Sequence, residues 1–265
     1  MDLKELTKNV TDLARETGKY ILSRQDDIRK IKIESKGVHD YVTEVDKNSE
    51  KQIVEQLKKF IPESGFIAEE KTETHISDTY NWIVDPLDGT TNYIHGLRPT
   101  AVSIALQYKK QTILGVVYEI GADEAFYAYK DGGAFLNGEK IRVTQTAKVN
   151  DALLATGFPF HDYDRLDEFM ETLTYFMRNS HGLRRLGSAA TDLVYVACGR
   201  FDGFYEYSLS PWDVAAGAFI VEEAGGKISD FKGGDNWLFG REIIASNSAM
   251  FDEFLQIIKQ IMYGK

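Results

Sequence analysis

The sequence predicts a mixed fold of the α+β and α/β kind. Three observations carry it. Two amphipathic helical stretches lie near the start, a run of closely spaced strands follows with tight links, and the second half alternates strand with helix. Strands joined by short turn-rich links pair antiparallel, whereas alternation with helices suits an α/β lobe.

Leu3, Leu6, Val10, Leu13 and Ala14 recur at helical spacing, so residues 3–25 read as the first helix. D-Y-V-T-E-V-D (40–46) is β-favouring and ends in an acid, and residues 46–60 form a second helix with Ile53, Val54, Leu57 and Phe60 on one face. G-F-I-A-E-E (65–70) is a short apolar run ending in two acids. V-S-I-A-L (102–106), I-L-G-V-V-Y (113–118) and A-F-Y-A-Y (125–129) are successive strands, linked through Gly121, Asp123, Gly132 and Gly133. Beyond them come a strand at 153–157, helices at 166–178 and 188–198, and a strand at 201–206. A helix at 212–224 ends at Gly225-Gly226, a strand lies near 242–245, and an amphipathic helix closes the chain. No linker, repeat or low-complexity segment interrupts this order. The expectation is one domain over 1–265, with packed lobes of about 1–147 and 148–265.

A chain of 265 residues with 43% hydrophobic content can bury a substantial core. Its net charge of −10 argues against nucleic acid as a partner, though not against an anionic substrate seated on cations. A single cysteine, Cys198, excludes an internal disulfide and a Cys-rich zinc site, and reads as a packing residue. The N-terminus lacks the pattern of a signal peptide, and no run approaches the roughly eighteen apolar residues of a membrane span. The expected location is the cytoplasm, with no membrane anchor.

The most informative segment is W-I-V-D-P-L-D-G-T-T-N-Y (82–93). An apolar lead reads as a buried strand running into Asp85, a second acid follows at Asp88, and Pro86 and Gly89 mark a tight connection. A helix starting near Thr90 would offer free N–H groups beside these acids as a phosphate seat. Paired carboxylates next to an anion seat call for cations between them. An isolated D-x-x-D is more often a solvated turn, but this string fixes every position from Asp85 to Asn92. Asp46, Glu69, Asp85, Asp88 and Asp213 all fall at the end of an extended segment or the start of a helix. Carboxylates drawn from several element ends suit magnesium, and scattered histidines without H-E-x-x-H suit zinc poorly. Asp213, in W-D-V-A-A-G (212–217), taken by itself reads more readily as an ordinary helix N-cap.

Taken together these segments resemble the inositol monophosphatase family of magnesium-dependent phosphomonoesterases. Further matches occur in the family's order: A-E-E at 68–70, G-A-F-L-N-G at 133–138, G-S-A-A at 187–190 and E-E-A-G-G at 222–226. Ala68 departs from the family, which usually has glycine there. The resemblance implies a layered αβαβα sandwich of the inositol monophosphatase and fructose-1,6-bisphosphatase type. It implies that Glu69, Asp85 and the Leu87 carbonyl hold one Mg2+ and Asp85, Asp88 and Asp213 a second. Glu70 and Asp46 would act through waters or at a third, weaker position. Gly89 and Thr90 would give backbone N–H groups to phosphate. Asp88, Gly187, Ser188, Ala189 and Glu206 would face the substrate's hydroxyl-bearing part. The Thr90 hydroxyl, oriented by Asp46, would position the attacking water, with Glu70 nearby.

Two of these residues keep competing readings: Thr90 as a helix cap and Glu206 as an exposed strand-end acid. Arg184 and Arg185 suit phosphate or a neighbouring subunit equally and stay unassigned. No G-x-S-x-G elbow, Walker loop or G-x-G-x-x-G occurs. The stretch ending at Glu206 looks most like the bacterial inositol monophosphatase branch, which places inositol monophosphate first among substrates. Histidinol phosphate, fructose 1,6-bisphosphate or adenosine 3′,5′-bisphosphate is the enzymatic alternative. Some bacterial relatives bind the transcription machinery, so a protein-binding regulator is the non-enzymatic one. A homodimer and inhibition by lithium are also implied.

Overall fold

The computed structural model describes residues 1–25, 33–37, 40–159 and 162–264. Helix α1 (Leu3–Ser23) is capped by Asp2, whose carboxylate accepts from Lys4 N at 2.9 Å and Glu5 N at 3.1 Å. A two-stranded antiparallel ribbon, β1 (Ile33–Gly37) and β2 (Asp40–Thr43), leads into α2 (Glu44–Phe60). The second helix therefore starts earlier than its hydrophobic period suggests, because Thr43 is its cap.

A seven-stranded sheet follows in chain order: β3 (Gly65–Ala68), β4 (Tyr80–Asp88), β5 (Ala101–Tyr108), β6 (Gln111–Glu119), β7 (Glu124–Tyr129), β8 (Gly133–Leu136) and β9 (Glu139–Ile141). All neighbours are antiparallel except β3 and β4, as the tight links predict. The short helix α3 (Thr90–His95) sits between β4 and β5. Strand β5 is buried from Ala101 through Gln107, so it reads as an apolar run without alternation. Strands β8 and β9 escape the hydrophobic reading because they are short and half-exposed. They turn at Asn137-Gly138, both with positive φ (48° and 92°), the Asn-Gly signature of a tight hairpin.

The second sheet has the order β11-β10-β12-β14-β13. It comprises β10 (Leu153–Thr156), β11 (Gly182–Arg184), β12 (Gly203–Tyr207), β13 (Gly226–Ser229) and β14 (Glu242–Asn247). Strand β10 runs parallel to β11 and β12, and the other pairs are antiparallel. Its helices are α4 (Leu166–Asn179), α5 (Ala189–Ala197), α6 (Pro211–Glu223) and α7 (Phe251–Tyr263).

Packing produces five layers. Helices α1 and α2 cover one face of the first sheet, and α5 and α6 fill the space between the sheets. Helices α4 and α7 close the far side. Three apolar clusters hold the layers together: one under α1 and α2 centred on Val10, Ile53 and Val102, one around α5 and α6 against both sheets centred on Leu193, Ala216 and Phe219, and one under α4 and α7 centred on Phe176, Tyr205 and Phe254. Helix α6 is buried continuously from Val214 to Val221 because both sheets face it. The αβαβα expectation is met. Cys198 is the partly buried C-cap of α5, and burial pushes its thiol pKa up. Among the described residues no helix is long and apolar enough to cross a membrane.

Candidate active site

The site lies where the ends of β3 and β4 meet the N-termini of α2, α3, α5 and α6. Strand β4 does not stop at Pro86. It continues to Asp88 through a register shift against β5, in which Asp85 pairs with Ser103 and Asp88 with Ala101. The extra residue forms a bulge, where a proline's missing N–H goes unneeded. Asp85 Oδ1 accepts from Leu87 N at 2.9 Å, so the bulge fixes the first acid. Gly89 then takes a left-handed conformation (φ 87°) as the N-cap of α3.

Asp46 and Asp213 share one local logic. Each is the third helical residue of a capping box, at the start of α2 and α6 respectively. Asp46 Oδ2 accepts from Thr43 N (2.9 Å) and Thr43 Oγ1 (2.5 Å), and Asp213 accepts from Ser210 N at 2.7 Å. In both, one carboxylate oxygen serves the helix and the other is left for chemistry. Asp213 thus does not open its helix as a cap, because Ser210 holds that position and Pro211 begins the first turn.

Thr90 Oγ1 lies 3.0 Å from Asp46 Oδ1 and 3.0 Å from the Leu87 carbonyl oxygen, two acceptors for one proton. Asp88 Oδ2 accepts from Ser188 Oγ at 2.6 Å and Ala190 N at 2.8 Å, at the N-terminus of α5. A Cβ on Gly89 would lie 3.0 Å from Pro99 O and 3.2 Å from Gly187 O, so the α3 turn and the G-S-A-A segment touch through glycine. Asn92 secures the same junction, donating to Pro99 O and Leu186 O, both at 2.9 Å.

The electrostatics are one-sided. Burial raises Asp85 well above the usual carboxylate range, and Glu69, Asp88 and Asp213 add repulsion. Asp213 is raised by burial and by Asp88, against the Ser210 N–H. Asp88 is pushed up by burial to about 6, while Ser188, Ala190, the Gly89 N–H and Arg185 pull it down. Glu206, on β12 and only 6% exposed, is raised by burial and then by Asp213. Glu206 is therefore not an exposed strand-end acid. Asp46, 1% exposed, is raised by burial against its bonds to Thr43 and Thr90.

These donors fit a hard divalent cation. They are all oxygen, they are buried or half-buried, and they repel one another, so each binds either a proton or a cation. Among the described residues no group of three or more acid, histidine or cysteine side chains is gathered closely enough to hold an ion by itself. An ion held here by few protein oxygens would keep several waters, as magnesium does.

Glu70 is held through its main chain, its N–H donating to Glu50 Oε2 at 2.7 Å. Glu50 also accepts from Thr72 N at 2.7 Å and is fully buried on α2. It shapes the turn carrying Glu69 and Glu70, and an acid on a helix with charged neighbours gave no sign of that duty. The roles of Asn92 and Asp192 carry no local sequence signal either. Asp192 on α5 is 1% exposed, its Oδ1 has no partner, and burial, then Glu206 and Asp88, raise its pKa.

The model of the inositol monophosphatase family matches residues 2–263. The Nus factor SuhB of Pseudomonas aeruginosa is 42% identical over 251 residues, spanning 93% of each chain. The inositol-1-monophosphatase of Mesorhizobium japonicum is 39% identical over 248 residues, again 93% of each. The crystal structure of the extragenic suppressor protein suhB from Bartonella henselae superposes with a TM-score of 0.89 at 37% identity, covering 97% of this chain and 98% of that one.

Proposed function

This chain belongs to the inositol monophosphatase family, and from that premise we propose that it is a magnesium-dependent phosphomonoesterase hydrolysing inositol monophosphate to inositol and phosphate. The observation that carries the reading is the Thr90 hydroxyl, 3.0 Å from Asp46 Oδ1, beside the buried Asp85 and the half-buried Asp88 and Asp213. Such a constellation suits phosphoryl transfer, which asks a protein for positioning and charge stabilisation rather than a covalent nucleophile.

Glu69, Asp85 and the Leu87 carbonyl would hold one magnesium ion and Asp85, Asp88 and Asp213 a second, with Asp46 and Glu70 near a third, weaker position. Bound magnesium supplies Lewis-acid polarisation of phosphate oxygens and lowers the pKa of water toward neutrality. Were the Leu87 carbonyl taken up as a ligand, Asp46 Oδ1 would be the remaining acceptor for the Thr90 proton. The lone pairs of Thr90 Oγ1 would then be free to accept from the attacking water and orient it. The N–H groups of Gly89 and Thr90 offer donors to phosphate, with the Gly89 N–H drawn from its interaction with Asp88. Glu206, with Gly187, Ser188 and Ala189, would receive the polyol, its carboxylate accepting from ring hydroxyls. A homodimer and lithium inhibition at one cation position belong to the same reading. Sedimentation as a monomer at micromolar concentration would remove the first, and full turnover in excess lithium the second.

Phosphate release from inositol 1-phosphate, fructose 1,6-bisphosphate, histidinol phosphate and adenosine 3′,5′-bisphosphate, with and without magnesium, tests the assignment. Magnesium-dependent turnover led by inositol 1-phosphate is expected. Preference for another ester keeps the chemistry and changes the substrate. A second reading rests on the 42% identity to a protein named as a Nus factor: a regulator bound to the transcription machinery. Capture of that machinery that survives Asp85→Asn with Asp88→Asn, together with no turnover of any ester, would favour it.

A further inference from the structure

Gly157 follows directly on β10, whose last residue, Thr156, pairs with Tyr205 in the parallel ladder to β12. That places it against Glu206. A Cβ built on Gly157 would lie 2.0 Å from Glu206 Oε1 and 2.1 Å from both Cδ and Oε2. Near-equal distances to three atoms of a planar group mean that the carboxylate lies face-on to the glycine. No side chain fits between them.

The demand for glycine comes from Glu206 and not from the backbone. Gly157 is not among the residues with positive φ, so an L-residue is compatible with its main chain. What has to move is the carboxylate, the far end of a flexible side chain, and it must move within buried surroundings. Strand β12 is buried along its whole length, Glu206 is only 6% exposed, and Thr156 Oγ1 donates to Tyr205 O at 2.6 Å, tying the two strands together. A methyl group at 157 therefore displaces the carboxylate itself.

We propose that Gly157 is a positioning residue that sets selectivity for a polyol ester, by seating the Glu206 carboxylate at the depth where it meets the substrate's hydroxyls. This rests on the assignment of Glu206 to the substrate's hydroxyl-bearing part. It adds that the glycine after β10, rather than Glu206 alone, decides how well a hydroxylated alcohol is distinguished from a bare one.

The test compares KM for inositol 1-phosphate with KM for 4-nitrophenyl phosphate, which has no alcohol hydroxyls, in a double-mutant cycle on the full chain. Gly157→Ala should raise the first relative to the second by roughly tenfold, the loss of one hydrogen bond to a charged group. In a Glu206→Ala background the same substitution should leave the ratio unchanged, since the clash has gone. That double variant also carries the test where Gly157→Ala alone folds poorly, because a clash with anything other than Glu206 would persist in it. Equal changes for both esters, or an effect of Gly157→Ala that survives in the Glu206→Ala background, overturns the proposal. If Glu206→Ala alone leaves the KM ratio of wild type, the polyol contact itself is wrong and the proposal falls with it. An effective Glu206→Ala beside a silent Gly157→Ala sinks the positioning role only.

Discussion

Ser188 Oγ donates to Asp88 Oδ2 over 2.6 Å, joining residues one hundred positions apart in the chain. The same hydroxyl accepts from Thr191 N at 3.3 Å as the N-cap of α5. One side chain therefore starts a helix between the two sheets and steadies an acid of the central motif. Ser188→Ala removes both of these and the 2.7 Å contact with Thr191 Oγ1, and the expected cost is about 1 to 3 kcal/mol of stability, read from urea denaturation. Turnover should fall as well, because Asp88 loses the strongest of the bonds that favour its charged form. A variant as stable as the parent would refute the double role.

Thr90→Val keeps the shape of the side chain and removes its hydroxyl. The Asp46 carboxylate keeps its two bonds from Thr43, so the fold should persist. Activity should drop by roughly 10²–10⁴, the range for losing a positioned proton-transfer group. Thr90→Ser should retain most of it. Equal losses for Val and Ser would show that the methyl group, not the hydroxyl, matters.

Much of this site could be read from the chain because its acids sit at element ends, where apolar runs break. Asp85, Asp88 and Asp213 were visible for that reason, and α1, α2 and α7 through their hydrophobic period. What was hidden has particular causes. Pro86 and Gly89 read as one turn, and only the β4–β5 register shows the strand passing through Pro86 in a bulge. Glu50 lies on a charged-looking helix, and its burial arises from the returning main chain at Glu70 and Thr72. Strands β11 and β13 are too short to show a period. The Asn137-Gly138 turn was legible in principle, since that dipeptide alone signals a hairpin. Gly157 gave no signal, because its partner lies on a strand about fifty residues on.

Removing magnesium should expose the repulsion among the buried acids, with a definite sign. The folded-state pKa of Asp88, about 6, lies above its ordinary value of 3.8. Its contribution to stability is therefore fully present below about 3.8 and is lost as pH rises to about 6. Asp85 and Asp213 are shifted in the same direction. In chelator, the thermal midpoint contributed by this group should fall from pH 4 toward pH 7. Added magnesium should raise it more at pH 7 than at pH 5, since protons compete with the ion for the same oxygens. An ion-induced shift of equal size at both pH values would contradict this arrangement.

Far from the acids, Arg165 donates to Glu242 Oε2 at 2.6 Å. Its guanidinium lies over the rings of Tyr207 at 4.8 Å and Tyr263 at 5.5 Å. Glu242 is 6% exposed and also accepts from Tyr263 Oη at 2.7 Å and Phe231 N at 3.2 Å. The arginine approaches from outside α4, so its removal leaves a buried carboxylate with neutral donors only. Arg165→Ala should cost roughly 3 kcal/mol, the lower end of the range for breaking a buried pair, because the arginine is partly exposed. Glu242→Gln, which removes the charge and keeps the shape, should cost less. Since the pair lies at the start of α4 and β14 and not among the acids, kcat of the folded Arg165→Ala protein should match the parent below its melting range. Equal losses from Arg165→Ala and Glu242→Gln would show that the hydrogen bonds, and not the stranded charge, dominate.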